Sequence, residues 1–221
     1  MTAADAPATD IARLIAGERR ELAALLAGLP AESWDSPTLC AGWRVREVVA
    51  HITMPFRYRL PRFAAEMIRS GGSFSRMADR CARRDAAAPP AQLAAVLRDN
   101  DNHAWKPPGG GYQGALTHDV IHGLDITVAL GLGRQVPPER LGIVLDGISA
   151  AKSVRFFGTD LEGVELRADD LDWSFGSGAP VSGSAQDLVL VVCGRKLPPG
   201  HLRGGPSARF TGIAGYEEGN T

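Results

Sequence analysis

Two histidines four residues apart, His118 and His122 in THDVIHGLDI, and a third far upstream, His51 in VREVVAHI, are the residues of this chain best suited to chemistry. Side chains at i and i+4 leave a helix from one face, so a helix over this segment points both imidazoles the same way. If a second helix sets His51 opposite that face, three nitrogen donors converge and leave positions open for water or a substrate, as in a catalytic metal centre. Ordinary core or surface histidines are the alternative, and the HxxxH spacing by itself does not separate the two. Neutral imidazole suits zinc, and nickel, iron, copper and manganese take the same donors. Asp119, Val120 and Ile121 stand between the pair, so the HExxH helix of the zinc peptidases, with its glutamate base, is absent. Asp125, three positions after His122, is spaced to hydrogen-bond a ligand's second nitrogen, or else to be a solvated or helix-capping aspartate.

The remaining candidates are weaker. His103, in NDNHAW, stands near a helix end, where capping exposed carbonyls competes with joining the site. His201, in LPPGHLRGG, reads as a surface residue. Cys40, in TLCAGW, is the one candidate thiol nucleophile, set against the commoner use of a free cysteine as a small buried hydrophobe. The glycines at 109–111 have neither the P-loop lysine nor Rossmann spacing, which removes the usual phosphate cradles.

These residues need helices to hold them. Ile11, Leu14, Ile15, Leu22, Leu25, Leu26 and Leu29 recur at helical spacing and predict a helix over Thr9 to Leu29. Val45, Val48, Val49 and Ile52 form the apolar stripe of a second helix, which carries His51 and which Pro55 must kink or end. A polar, arginine-rich passage follows, then a third helix in AQLAAVLRDNDNHAW, broken by KPPGGGYQG. A fourth begins near Gly114 and carries the histidine pair, and a fifth is expected from about Pro138 to Phe157. Beyond Gly158, VELRADD and LDWSFGS alternate like strands, GSGAPVSG reads as a turn, and SAQDLVLVVCGR reads as a short helix capped by Ser184.

A chain of 221 residues that is 44% hydrophobic can bury a full core. With a formal net charge of -1, no basic field would draw it to nucleic acid. No apolar run approaches the length needed to span a bilayer, and the N-terminus lacks a basic segment followed by an apolar one, so the expected setting is cytoplasmic. Cys40, Cys81 and Cys193 show no CxxC spacing, which argues for reduced thiols rather than a disulfide framework or thiolate zinc site.

Three blocks, SWDSPTLCAGWRVREVVAHI, LTHDVIHGLDITVALG and LRADDLDWSFGSGAPVSGSAQDLVLVVCGR, resemble the mycothiol-dependent maleylpyruvate isomerase family of the DinB-like superfamily over nearly the whole chain. The resemblance implies a mainly α protein: a DinB-like four-helix bundle with an extra helix over residues 1–157, followed by a small α/β domain over 158–221. It implies a divalent metal, usually zinc, held by an early histidine that falls on His51 and by a later pair that falls on His118 and His122. In the isomerase proper the first member of that pair is a glutamate, so three histidines look more like the wider DinB-like thiol transferases. The family also uses an arginine from its C-terminal domain, for which Arg195 is the catalytic candidate here.

On that resemblance the partners are a small electrophilic substrate and a low-molecular-weight thiol, mycothiol, in a monomer or homodimer. The metal would lower the thiol's pKa, so that the thiolate could isomerise a cis-enedioic acid such as maleylpyruvate by addition and elimination, or be conjugated to an epoxide, halide or quinone. Two rival expectations are a non-catalytic metal-binding stress or binding module and a metal-dependent hydrolase that activates water.

Overall fold

Nine α-helices and one three-stranded sheet make up the computed structural model, which describes residues 8–212. The first helix, α1 (Ala8–Ala27), buries Ile11, Leu14, Ile15, Leu22 and Leu26, and the same face also buries Glu18 and Arg19. It packs against α5 (Pro90–Asp99) and α6 (Gly111–Ala129). Helix α2 (Val45–Arg57) packs against the same two, closing the four-helix bundle. At its start the Arg44 N–H donates to Glu47 at 2.9 Å, while the Arg44 guanidinium pairs with the same carboxylate. Pro55 has no N–H for the carbonyl of His51, and α2 runs only two residues beyond it.

Three expectations from the sequence need correction. The arginine-rich passage after α2 is not a linker but a helical hairpin, α3 (Leu60–Arg69) and α4 (Phe74–Asp85). Its inward contact is partly ionic: buried Glu66 of α3 accepts from Arg84 of α4 at 2.8 Å and also pairs with Arg80, so the apolar stripe is too thin to read. The segment from Pro138 to Phe157 is two helices, α7 (Pro138–Ile148) and α8 (Ala151–Phe157). Ser149 ends the first by donating its hydroxyl to the Leu145 carbonyl at 2.6 Å, and Ala150 is extended. The third helix stops at Asp99, which leaves His103 in the following loop.

After α8 the chain forms β1 (Val164–Ala168), β2 (Ser174–Gly176) and β3 (Ala179–Gly183), in the order β2-β1-β3. Strand β1 is antiparallel to β2 and parallel to β3, with Leu166 opposite Val181. The GSGAPVSG segment therefore holds a strand as well as a turn. Gly178 makes the crossing: its φ is 134°, and a Cβ there would lie 2.2 Å from the Gly163 carbonyl oxygen. Helix α9 (Ala185–Val192) follows, capped as expected by Ser184, whose hydroxyl accepts the Asp187 N–H at 3.2 Å.

One hydrophobic cluster runs from Ile11 and Leu14 of α1 through Leu116, Val120 and Leu124 of α6 to Leu188 and Leu190 of α9 and Leu166 of β1. A second fills the other side of the bundle with Leu22, Leu26, Val48, Val49, Leu97 and Ile126. Helix α6 contributes to both, which is why it is apolar on nearly every side. At each of roughly 25 cal/mol per Å² of apolar surface removed from water, this double burial holds α6 fixed, and with it the histidine pair. Among the described residues no helix is long and apolar enough to cross a membrane.

Candidate metal centre

The i,i+4 spacing does on α6 what helical geometry requires, and α2 sets His51 against the pair. The three rings form a triangle with centroid separations of 5.1 Å for His51 and His118, 4.9 Å for His51 and His122, and 4.9 Å for His118 and His122. One ring nitrogen from each lies within 4.8 Å of the other two. The Nε2 atoms of His51 and His118 are 3.2 Å apart. Two nitrogens each 2.0–2.1 Å from a tetrahedral cation stand about 3.3 Å apart, so the observed gap suits zinc or a similar ion.

Electrostatics prepare the same outcome. Burial pushes His51 well below the usual histidine range, and the neighbouring imidazoles His122 and His118 add to the shift. Burial also lowers His122, against the pull of Asp125 in the other direction. Both rings are therefore neutral near pH 7, the form that offers a lone pair to a metal. His122 Nδ1 lies 2.9 Å from Asp125 Oδ2, and His118 Nδ1 lies 3.0 Å from Asp119 Oδ1. A carboxylate only accepts, so each Nδ1 carries a hydrogen, and each Nε2 is the nitrogen left to face the centre. His51 Nδ1 is buried and has no hydrogen-bond partner among the described residues. The donor set fits a divalent cation held by His51, His118 and His122.

Asp125 is fully buried and is fixed from the tail of the chain. Arg195, just beyond α9, donates Nε to Oδ1 at 2.8 Å and Nη2 to Oδ2 at 2.9 Å, while its Nη1 donates to the Cys193 carbonyl at 3.2 Å. Burial alone would raise the Asp125 carboxyl, but the Arg195 charge and hydrogen bonds, joined by His122, outweigh it and hold the group down at about 2. Arg195 is thus beside the centre and engaged with Asp125, and two of its five N–H groups are uncommitted among the described residues.

Other side chains complete the surroundings. The ring of Trp43 lies 5.0 Å from that of His51, and the ring of Trp105 lies 5.2 Å from that of His118. The Cys40 thiol is within 4.8 Å of donor atoms of His122 and Asp125. Burial and then the charge of Asp125 push it up to about 12, so it is a protonated thiol and a poor nucleophile. His103 is outside the triangle: its Nδ1 accepts the Trp105 N–H at 3.1 Å and its ring packs on Phe56. His201 pairs with Asp187 at 2.9 Å in the tail, away from the centre.

Sequence spacing passed over Asp119 and Arg19. Both carried a signal, since each is a charged residue at a position where its own helix is otherwise apolar and buried.

Residues 15–106 match the family described as mycothiol maleylpyruvate isomerase N-terminal domain, a stretch that contains His51 and ends before α6. Two uncharacterised proteins of Mycobacterium tuberculosis, from strains CDC 1551 / Oshkosh and H37Rv, are each 28% identical over 213 residues, covering 81% of this chain and 82% of theirs. The crystal structure of the mycothiol-dependent maleylpyruvate isomerase superposes with a TM-score of 0.60 at 14% identity, covering 94% of this chain and 96% of that one. A histidine-to-alanine mutant of the same isomerase matches with the same score at 13% identity. At such identity the likeness is one of fold.

Proposed function

We propose that this chain, whose residues 15–106 match the mycothiol maleylpyruvate isomerase N-terminal domain family, is a metal-dependent enzyme that uses a low-molecular-weight thiol, mycothiol, on a small electrophilic substrate. The reaction is isomerisation of a cis-enedioic acid such as maleylpyruvate, or transfer of the thiol to an electrophile. The observation that supports this best is the meeting of three imidazoles from α2 and α6, two of them backed by buried carboxylates.

His51, His118 and His122 would hold the cation, zinc by the chemistry of the donors. When bound, it supplies the Lewis acidity that lowers a thiol's pKa toward neutrality. The chain's own residues do the rest. Asp125 keeps His122 in the tautomer whose Nε2 is free, and Arg195 keeps Asp125 ionised and oriented. The two uncommitted N–H groups of Arg195 are the donors offered to a substrate carboxylate, as planar guanidinium recognition favours. Trp43 and Trp105 flank the imidazoles and limit water at the reacting atoms. Holding thiol and electrophile together supplies much of the rate.

The test is to load the purified protein with zinc, add mycothiol, and follow maleylpyruvate by absorbance and a panel of epoxides, quinones and alkyl halides by mass spectrometry. The proposal expects isomerised product or an S-conjugate that forms only when thiol and metal are both present. Product formation that ignores the thiol, or none with any electrophile, contradicts it.

A further inference from the structure

We propose that Asp119, clamped by Arg19, is a positioning residue that dictates which nitrogen of His118 carries the proton. This rests on the proposal that the three histidines form a cation site, and it gives that site a second support unlike the Arg195–Asp125 pair. Asp119 follows His118 on α6 and Arg19 lies on α1, a hundred residues away in sequence, yet both are 1% exposed. The two carboxylate oxygens have separate duties. Oδ2 accepts Arg19 Nε–H at 2.7 Å, and Oδ1 faces His118 Nδ1 at 3.0 Å.

Arg19 cannot swing away from this contact. Its Nη1 donates to the His103 carbonyl at 2.8 Å and also reaches the carbonyls of Asp101 at 3.3 Å and Asn100 at 3.4 Å. Its guanidinium carbon lies 4.8 Å from the centre of the Phe56 ring. With the guanidinium fixed, the carboxylate plane is fixed, and Oδ1 has nothing to do but accept from Nδ1–H. The Nε2 lone pair of His118 is then presented toward His51, 3.2 Å away. Each member of the HxxxH pair therefore has its own aspartate, and each aspartate its own arginine from a remote part of the chain, one from α1 and one from beyond α9. Among the described residues His51 has no such support, for its Nδ1 meets no partner there.

The clamp makes an isosteric substitution informative. In Asp119→Asn the side chain has a single acceptor oxygen, and the immobile Arg19 Nε–H takes it. The amide NH₂ then faces His118 Nδ1, which must accept, so the ring proton moves to Nε2 and occupies the lone pair that a metal needs. Were Asp119 merely part of a structural ion pair, the same substitution would weaken folding but leave the His118 tautomer as it was.

Two-bond ¹H–¹⁵N correlation spectra of the metal-free protein, with His118 assigned by its loss in His118→Gln, read the tautomer directly. The expectation is Nδ1–H in the wild type and Nε2–H in Asp119→Asn, together with a zinc affinity about 10–100-fold weaker in the variant. A His118 that keeps its Nδ1–H tautomer in Asp119→Asn, or a zinc affinity within about twofold of wild type, overturns the inference. The tautomer is measured without metal, so it decides the role of Asp119 even if the wild type takes up no cation, a result that would count against the proposed function instead.

Discussion

Replacing Asp125 with asparagine imitates the protonated acid, which makes its cost calculable from the shift of the wild-type carboxyl. In the folded protein that carboxyl is held at about 2 instead of 3.8, a difference that contributes roughly 2–3 kcal/mol at neutral pH. The sign follows from the direction. A folded pKa below the unfolded one stabilises fully at pH values above the unfolded pKa, and the contribution drains away as pH falls from about 4 to 2. Asp125→Asn should therefore lose roughly 2–3 kcal/mol at pH 7, or ~4–12 °C in melting temperature for a chain of this size. Alanine costs more, about 3–5 kcal/mol, because it leaves the Arg195 guanidinium without its carboxylate partner. Urea unfolding of wild type and Asp125→Asn at pH 7, 5, 4 and 3 tests this. The gap should be constant down to pH 5 and then narrow. A gap below about 0.5 kcal/mol at pH 7, or one that fails to shrink toward pH 3, refutes the pairing derived for Asp125.

Three further outcomes follow from the same contacts. Glu18→Ala should cost about 3–5 kcal/mol by urea unfolding, since fully buried Glu18 accepts from Arg134 at 2.6 Å and Arg140 at 2.9 Å, and its loss leaves Arg134 only a 3.9 Å contact to Glu21, the carboxylate that Arg140 keeps. His122→Ala should leave far-UV circular dichroism within error of wild type while abolishing thiol-dependent turnover, because the core of α6 rests on Leu116, Val120 and Leu124 rather than on the imidazole. Cys40 should react with iodoacetamide at pH 8 on the order of 1000-fold more slowly than a free cysteine, as a thiol near 12 leaves little thiolate there.

Much of the bundle was legible because its signals are local. The stripe of α1, the stripe that places His51 on α2, and the i,i+4 pair of α6 all reflect the 3.6-residue period, which needs no tertiary information. The hairpin of α3 and α4 was not legible, because Glu66 points inward and meets arginines, so no apolar rhythm marks the buried side. Strand β3 was hidden by glycine and proline, whose turn character dominates until pairing with β1 supplies the missing context. The same division runs through the site. Asp125 is legible because it lies one turn from His122, whereas Asp119, although next to His118 in sequence, has no helical spacing to mark it. What spacing cannot reveal is which arginine reaches each aspartate, since Arg19 and Arg195 arrive from 100 and 70 residues away.

The account turns on His51, His118 and His122 sharing one divalent cation. Titration of the metal-free protein with Co²⁺, followed by the visible ligand-field bands, measures this without a substrate. One ion per chain with the intense absorption of a four-coordinate site is expected for the wild type, and loss of that signal is expected in each of His51→Ala, His118→Ala and His122→Ala. A spectrum that survives any one of these substitutions unchanged, or a wild type that never develops it, contradicts the account.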